Sequence, residues 1–228
     1  MPACSAVSCW RPRGTDDPAA PRLRGMNEPL DTQRSARFTS RDLALVAVFV
    51  GIVAALGLVP AFYPFGIAVP ITAQSLGVML AGAVLGARRG ALSMLVFLAL
   101  VAVGLPLLAG GVGGLGVFFT PRVGFLVGFP VAAFVVGLLT ERGGPSYTLP
   151  RGIMANAIGG VAVLYAFGIV GIMAVGRVGI DAAATPLAIY LPGDVVKVVV
   201  AALVARGVHA GYPGLLTRGR AERQSTPV

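Results

Sequence analysis

The chain has 228 residues, of which 56% are hydrophobic and 12% are charged, and its formal net charge is +9. Soluble domains carry about a quarter charged residues, so this chain has too little charge to cover a water-facing surface and much of it must face lipid. The positive charge does not indicate nucleic-acid binding, because basic and aromatic residues are not interleaved and no soluble domain carries them. Composition therefore predicts an integral membrane protein.

The first 40 residues form a polar tail rich in Pro, Arg, Asp and Ser, a composition typical of disorder. The tail lacks the apolar core of a secretory signal peptide. Its cysteines, Cys4 and Cys9, have neither metal-ligand spacing nor a neighbouring histidine, so we expect no metal site. A more ordinary polar lead-in opens at Met26, and we expect translation of the native protein to begin there.

Six apolar runs of spanning length follow the tail. Thr39 or Ser40 can cap the first run, and Asp42 suits the positive end of its helix dipole. The second run is short, so it needs the preceding VPIT segment, or burial in the bundle, to reach across. Prolines at 60, 64 and 70 predict a non-helical connection before it. The six runs cover residues 43–59, 73–85, 91–108, 123–140, 152–175 and 186–205.

The basic residues sort to one side when six runs alternate across a membrane. With the basic tail inside, the Arg88-Arg89 turn, Arg142, Arg151 and the basic C-terminus also fall inside. This arrangement places 15 of the 18 basic residues on one side, and an odd number of spans would destroy the sorting. The sequence therefore predicts an all-α membrane protein, a six-transmembrane-helix bundle with cytoplasmic N- and C-termini.

We expect a disordered tail at 1–40, a membrane domain at 41–208 and a basic cytoplasmic tail at 209–228. The loops are too short to fold independently, so function should reside in the bundle. The sequence contains no G-x-x-x-x-G-K-[ST] loop, no H-E-x-x-H and no Cys/His cluster. We therefore expect no ATP hydrolysis by the chain itself and no metal.

Lys197, the only lysine, follows Asp194 by three residues, so the two share one face of the last predicted helix. Charge inside a bilayer is costly unless it is paired or hydrated, so the pair should point into the bundle, nearer its outer side. The pair either only holds helices together or belongs to a polar ligand site. Pro192 and Gly193, which can loosen the backbone beside it, favour the ligand site.

A glycine-rich stretch at 109–125 lies between the third and fourth runs. Glycines permit backbone conformations closed to other residues and can expose N–H groups to a ligand, so we interpret the stretch as a lid, with flexibility alone as the alternative. Arg122, near its end, is either an interfacial anchor or a cation that clamps a carboxylate. The lid glycines are Gly110, Gly111, Gly113, Gly114 and Gly116.

Two polar residues interrupt the fifth run. Asn156 is typical of a hydrogen bond between helices, whereas Tyr165, near mid-membrane, either lines a pocket or packs. In the first run, Ala47, Gly51 and Ala55 recur every four residues, and such small residues let another helix approach closely. This stripe either packs within the bundle or docks to a separate membrane subunit.

Three motifs together resemble a known family. They are P-I-T-x-Q-x-L-G from residue 70, A-G-G-x-G-G-L-G from residue 109 and L-P-G-D-x-x-K from residue 191. From about residue 38 to 208 the chain strongly resembles the BioY family, the biotin-specific S components of energy-coupling factor (ECF) transporters. The resemblance implies a multi-pass protein of the bacterial plasma membrane that binds biotin from outside. Its expected partners are membrane lipid, a membrane scaffold subunit and two cytoplasmic ATPases, although some members are thought to act without them.

The resemblance also implies roles for particular residues. Asp194 and Lys197 match the family's ligand-contacting pair, the glycine-rich segment matches its lid-like third loop, and the stripe in the first run matches a docking surface. Family members often have G-P-T-G-G at 120–124, where this chain carries an arginine. The implied substrate-binding residues are Asp194, Lys197, Arg122, Gly110, Gly111, Gly113, Gly114, Phe118, Gln74, Tyr165 and Asn156.

Biotin fits these residue types chemically. Lys197, with Arg122, can meet its carboxylate or carbonyl, Asp194 can accept from its ureido N–H groups, and Phe118 and Phe119 can enclose its ring. Biotin is then cargo, and no cofactor is expected. Three alternatives stay open: an S component for another small vitamin, an intramembrane enzyme, and a purely structural membrane subunit.

Overall fold

The computed structural model describes residues 39–59, 72–144 and 147–212. The expectations for residues 1–38 and 213–228 of the two tails, for the start at Met26 and for the prolines at 60, 64 and 70 lie outside these residues. Ser40 and residues 209–211, which were assigned to the tails, are helical. Seven α-helices make up most of the described chain. They are α1 (Ser40–Gly57), α2 (Gln74–Leu85), α3 (Ala87–Val103), α4 (Val123–Arg142), α5 (Leu149–Ala155), α6 (Leu164–Gly176) and α7 (Ile180–Gly211).

Four helical spans are long and apolar enough to cross a membrane: α1, α4, α7 and the rod Leu149–Gly176. The rod consists of α5, a π-helical segment (Asn156–Val163) and α6. The predicted all-helical membrane class is thus confirmed. The second and third apolar runs form shorter helices, with 12 residues in α2 and 17 in α3. Gly86, whose φ of 84° suits glycine, joins them.

The first helix begins as its sequence predicts. The Thr39 backbone N–H donates to Asp42 Oδ2 at 3.0 Å, and the Asp42 N–H donates back to Thr39 Oγ1 at 3.4 Å, which forms a capping box. The Asp42 carboxylate also lies 3.1 Å from Arg89 Nε at the start of α3. Asp42 therefore caps α1 and fastens it to the junction of α2 and α3.

Several helix ends meet at one end of the bundle, which we call the basic end. There Glu141 Oε1 accepts from the Ala87 N–H at 2.8 Å, which brings the end of α4 to the start of α3. His209, near the end of α7, lies 2.9 Å from the Ala83 carbonyl oxygen of α2. The arginines carried by these ends are Arg41, Arg88, Arg89, Arg142, Arg151 and Arg206.

Glycines allow α4 to lie directly against α2 and α3. A Cβ added at Gly82 would lie 2.5 Å from the Ala133 carbonyl oxygen, and one at Gly137 would lie 2.3 Å from the Ala87 nitrogen. Membrane helices associate through such close packing, because lipid offers no hydrophobic drive between them. These contacts hold α2, α3 and α4 together, and the remaining helices pack against this group.

Two helix boundaries differ from the apolar runs. The third run continues to residue 108, but α3 ends at Val103, because Gly104 takes a left-handed conformation with a φ of 113° and Pro106 follows. In contrast, α7 starts at Ile180, before its apolar run, and continues to Gly211. Pro192 and Gly193 lie inside this helix, so the expected loosening does not interrupt it.

Candidate functional site

Lys197 joins α7 to the start of α2. Its ammonium donates to the Thr72 carbonyl oxygen at 2.7 Å, to Ser75 Oγ at 3.1 Å and to Asp194 Oδ1 at 2.8 Å. An ammonium has three donors, and these contacts use all of them. The charge is therefore held by two helices rather than by its ion pair alone.

Asp194 joins α7 to α6. Its second oxygen, Oδ2, accepts from the Tyr165 hydroxyl at 2.6 Å, and only 6% of the residue is exposed. The carboxylate thus contacts Lys197 on one side and Tyr165 on the other. The Asp194–Lys197 pair therefore does not satisfy only itself, and its contacts also join α7 to α6 and to the start of α2. Its place in a ligand site stays a prediction.

These side chains border a cavity of about 690 Å³, part of which is open space at its mouth. The polar part of the lining carries the Lys197 cluster, and the apolar part comes mainly from α4. The lining residues are Thr72, Gln74, Ser75, Leu108, Ala109, Arg122, Phe125, Leu126, Phe129, Leu164, Tyr165, Tyr190, Asp194 and Lys197.

The cavity lies at the end of the bundle opposite the basic end. It is bordered there by the loop after α3, residues 104–114, which we call the cover loop. Leu108 and Ala109 of this loop line the cavity and are buried. A short pairing of Leu108 with Val112 folds the loop back on itself. Gly110 and Gly111 inside this turn have positive φ values, as does Gly114 after it.

Gln74 holds the cover loop through both ends of its side-chain amide. Its Nε2 donates to the Leu107 carbonyl oxygen at 3.0 Å, and its Oε1 accepts from the Ala109 N–H at 3.1 Å. Gln74 is 3% exposed. The side chain thus borders the cavity while its polar atoms bind the loop backbone.

The structure brings together five of the predicted substrate-binding residues. Asp194, Lys197, Arg122, Gln74 and Tyr165 all line the cavity. The remaining predicted residues do not line it: Gly110, Gly111, Gly113, Gly114, Phe118 and Asn156. The glycines shape the cover loop, and Phe119, also proposed to enclose a ring, is 80% exposed.

Asn156 is fully buried in the π-helical segment. Its expected hydrogen bond to another helix is not formed, because neither Nδ2 nor Oδ1 has a partner in the part of the chain that the structure describes. It lies outside the cavity lining, so the structure supports neither interpretation of this residue.

Several residues that line the cavity were not predicted from the sequence, although the sequence contains signals for some of them. Thr72 and Ser75 belong to the same motif as Gln74, and Tyr190 lies one helical turn before Asp194 on the same face. Phe125 and Phe129, four residues apart on α4, supply the aromatic surface expected of Phe118 and Phe119. Their hydropathy alone does not distinguish them from lipid-facing phenylalanines.

The stripe on α1 faces away from the described bundle. Ala47, Gly51 and Ala55 are exposed, and a Cβ added at Gly51 would meet nothing within 4 Å. The alternative of packing within the bundle is therefore wrong for the described helices. Docking to another subunit stays a prediction.

Comparison with known proteins gives concordant results. The model of the BioY family matches residues 30–214. The chain is 51% identical over 186 residues to a Rhizobium etli protein named "Biotin transporter BioY", covering 79% of this chain and 99% of that protein. It is 49% identical over 190 residues to a protein of the same name from Rhodobacter capsulatus, covering 78% and 99%.

The fold is also similar to a solved structure. The match is the crystal structure of the S-component for biotin from an ECF-type ABC transporter, with a TM-score of 0.72 and 26% identity. It covers 75% of this chain and 91% of that one.

Proposed function

The chain belongs to the BioY family, and on that premise we propose that it is the substrate-binding subunit of a biotin importer in the bacterial plasma membrane. The single observation that carries this proposal is the cavity in which Lys197, Asp194 and Tyr165 form one hydrogen-bonded cluster. Ionisable groups inside a membrane bundle mark substrate pathways, because hydrocarbon penalises them elsewhere.

The polar and apolar parts of the lining match the polar groups and the apolar body of biotin. Its ureido group offers N–H donors and a carbonyl, and its valerate chain ends in a carboxylate, which suit Asp194 and the cations Lys197 and Arg122. Because the three donors of Lys197 are already used, a ligand group that binds this ammonium replaces one of its present acceptors. Its apolar thiophane ring and chain suit Phe125 and Phe129 on α4. A cavity with both kinds of lining can hold the polar groups of biotin together with its apolar body.

We further propose a topology of six spans with both termini in the cytoplasm. The arginines of the basic end support it, since basic residues concentrate on the cytoplasmic side of membrane proteins. Because the cavity lies at the opposite end, its mouth faces outside, where biotin is captured. The exposed stripe on α1 is the proposed contact with an ECF membrane scaffold, and two cytoplasmic ATPases supply the energy for import.

Binding of radiolabelled biotin to the purified chain tests the proposed function. We expect saturable binding to the parent protein, loss of binding in Lys197→Met, and parental binding in Val196→Met. Val196 is 61% exposed beside Lys197 on α7, so this control introduces the same side chain outside the cavity. Parental binding in Lys197→Met would refute the site, and retention of another vitamin but not biotin would refute the substrate.

A further inference from the structure

The Gln74 side chain makes two hydrogen bonds to the protein backbone, which a residue that only contacts a ligand would not need. Both of its polar ends bind the cover-loop backbone, at Leu107 and Ala109. These residues lie 33 and 35 positions away in sequence, so the amide joins two segments that no other described side-chain hydrogen bond connects. Two bonds from one planar amide fix both the position and the orientation of the loop.

The same short segment that carries Gln74 also holds the charged cluster. Lys197 binds the Thr72 carbonyl oxygen and the Ser75 hydroxyl, which flank Gln74 in sequence. The start of α2 is thus fixed by α7 on one side and fixes the cover loop on the other. A shift of the loop relative to the cavity therefore requires the Gln74 bonds to break first.

The last turn of α1 closes the space behind these bonds. A Cβ added at Gly57 would lie 2.4 Å from the Leu107 carbonyl oxygen and 2.9 Å from Gln74 Nε2. Only glycine leaves room there for the loop carbonyl and the amide to meet. Gly57 is not part of the cavity lining, so it offers a way to perturb the loop without touching the ligand.

We propose that Gln74 is a positioning residue that latches the cover loop over the cavity and so sets the rates at which biotin enters and leaves. This inference rests on the proposed function. Because Leu108 and Ala109 border the cavity and are buried, release of the loop widens the opening through which a ligand passes in either direction. A latch therefore limits association and dissociation alike, whereas a ligand contact limits dissociation alone.

Stopped-flow or filter-binding kinetics with biotin test the latch. In Gln74→Met, which keeps the side-chain length and loses both bonds, we expect both rate constants to rise about tenfold, equivalent to about 1.4 kcal/mol. The equilibrium affinity should change less than either rate. Faster dissociation with unchanged association would show that Gln74 is a ligand contact and would overturn the latch, as would two unchanged rates.

Gly57→Ala provides a second variant outside the cavity, and we expect it to raise both rates in the same way. Gly207→Ala is the matched control, because a Cβ at Gly207 meets nothing within 4 Å and should leave both rates at parental values. Parental rates in Gly57→Ala would contradict the latch.

A readout without biotin separates this inference from the proposed function. Leu108, which is 5% exposed, is replaced by cysteine in a chain whose Cys4 and Cys9 are changed to serine. We expect a water-soluble thiol reagent to label Leu108→Cys about tenfold faster when Gln74→Met is added. Equal labelling would overturn the latch even if the parent binds biotin, and faster labelling would support it even if biotin is not the ligand.

Discussion

The replacement Lys197→Met tests how the charged cluster is stabilised. It removes donors to Thr72, Ser75 and Asp194 and leaves the Asp194 carboxylate without its ion-pair partner. Removing one partner of a buried pair costs about 3–5 kcal/mol. The side chains of Lys197 and Asp194 are 16% and 9% exposed, so partial screening places the expected loss of stability at about 3 kcal/mol, the lower end of that range.

The double variant Asp194→Asn/Lys197→Met separates stability from binding. It removes the charge that the single change leaves behind, so we expect it to recover most of the lost stability and still not bind biotin. Reversible unfolding in detergent micelles gives the stability, and equilibrium binding of labelled biotin gives the affinity. A single variant as stable as the parent, or a double variant that binds biotin, would refute this account of the cluster.

Three other predictions concern separate parts of the molecule. Tyr165→Phe removes the 2.6 Å bond to the site carboxylate and should weaken biotin binding about tenfold, in the range of bonds to charged groups, as measured by equilibrium dialysis. Gly137→Ala should reduce the yield of monodisperse protein in size-exclusion chromatography, because its Cβ would overlap the α3 backbone, while Gly207→Ala should not. Gly51→Leu should preserve biotin binding and reduce co-purification of a scaffold subunit, since Gly51 faces away from the described bundle.

Local signals in the sequence predicted much of the fold. The start of α1 follows from Thr39 and Asp42, whose spacing suits a capping box. Hydropathy approximately located the four described spans that are long and apolar enough to cross a membrane, because lipid selects apolar residues along the whole length of a span. The end of α3 was misplaced, since Leu107 and Leu108 are as apolar as the helix before them and only Gly104 and Pro106 mark the boundary.

The charged part of the site was predictable for the same energetic reason. Asp194 and Lys197 stand out in an apolar helix because charges are rare there. The apolar wall was not predictable, since Phe125 and Phe129 have the hydropathy of any lipid-facing residue. The contacts of Gln74 were not predictable either, because they depend on loop backbone atoms more than 30 positions away.

The bond from Lys197 to the Thr72 carbonyl oxygen has a consequence for how such a binding site can vary. A main-chain acceptor is supplied by whichever amino acid occupies position 72, so replacing that side chain leaves this anchor of the ammonium in place. The Ser75 and Tyr165 hydroxyls are different, because they belong to side chains and are lost when either residue is replaced by one without a hydroxyl. Substitutions at positions 75 and 165 should therefore change the hydrogen bonding of the charged pair, whereas a substitution at position 72 should leave the main-chain contact of the ammonium in place.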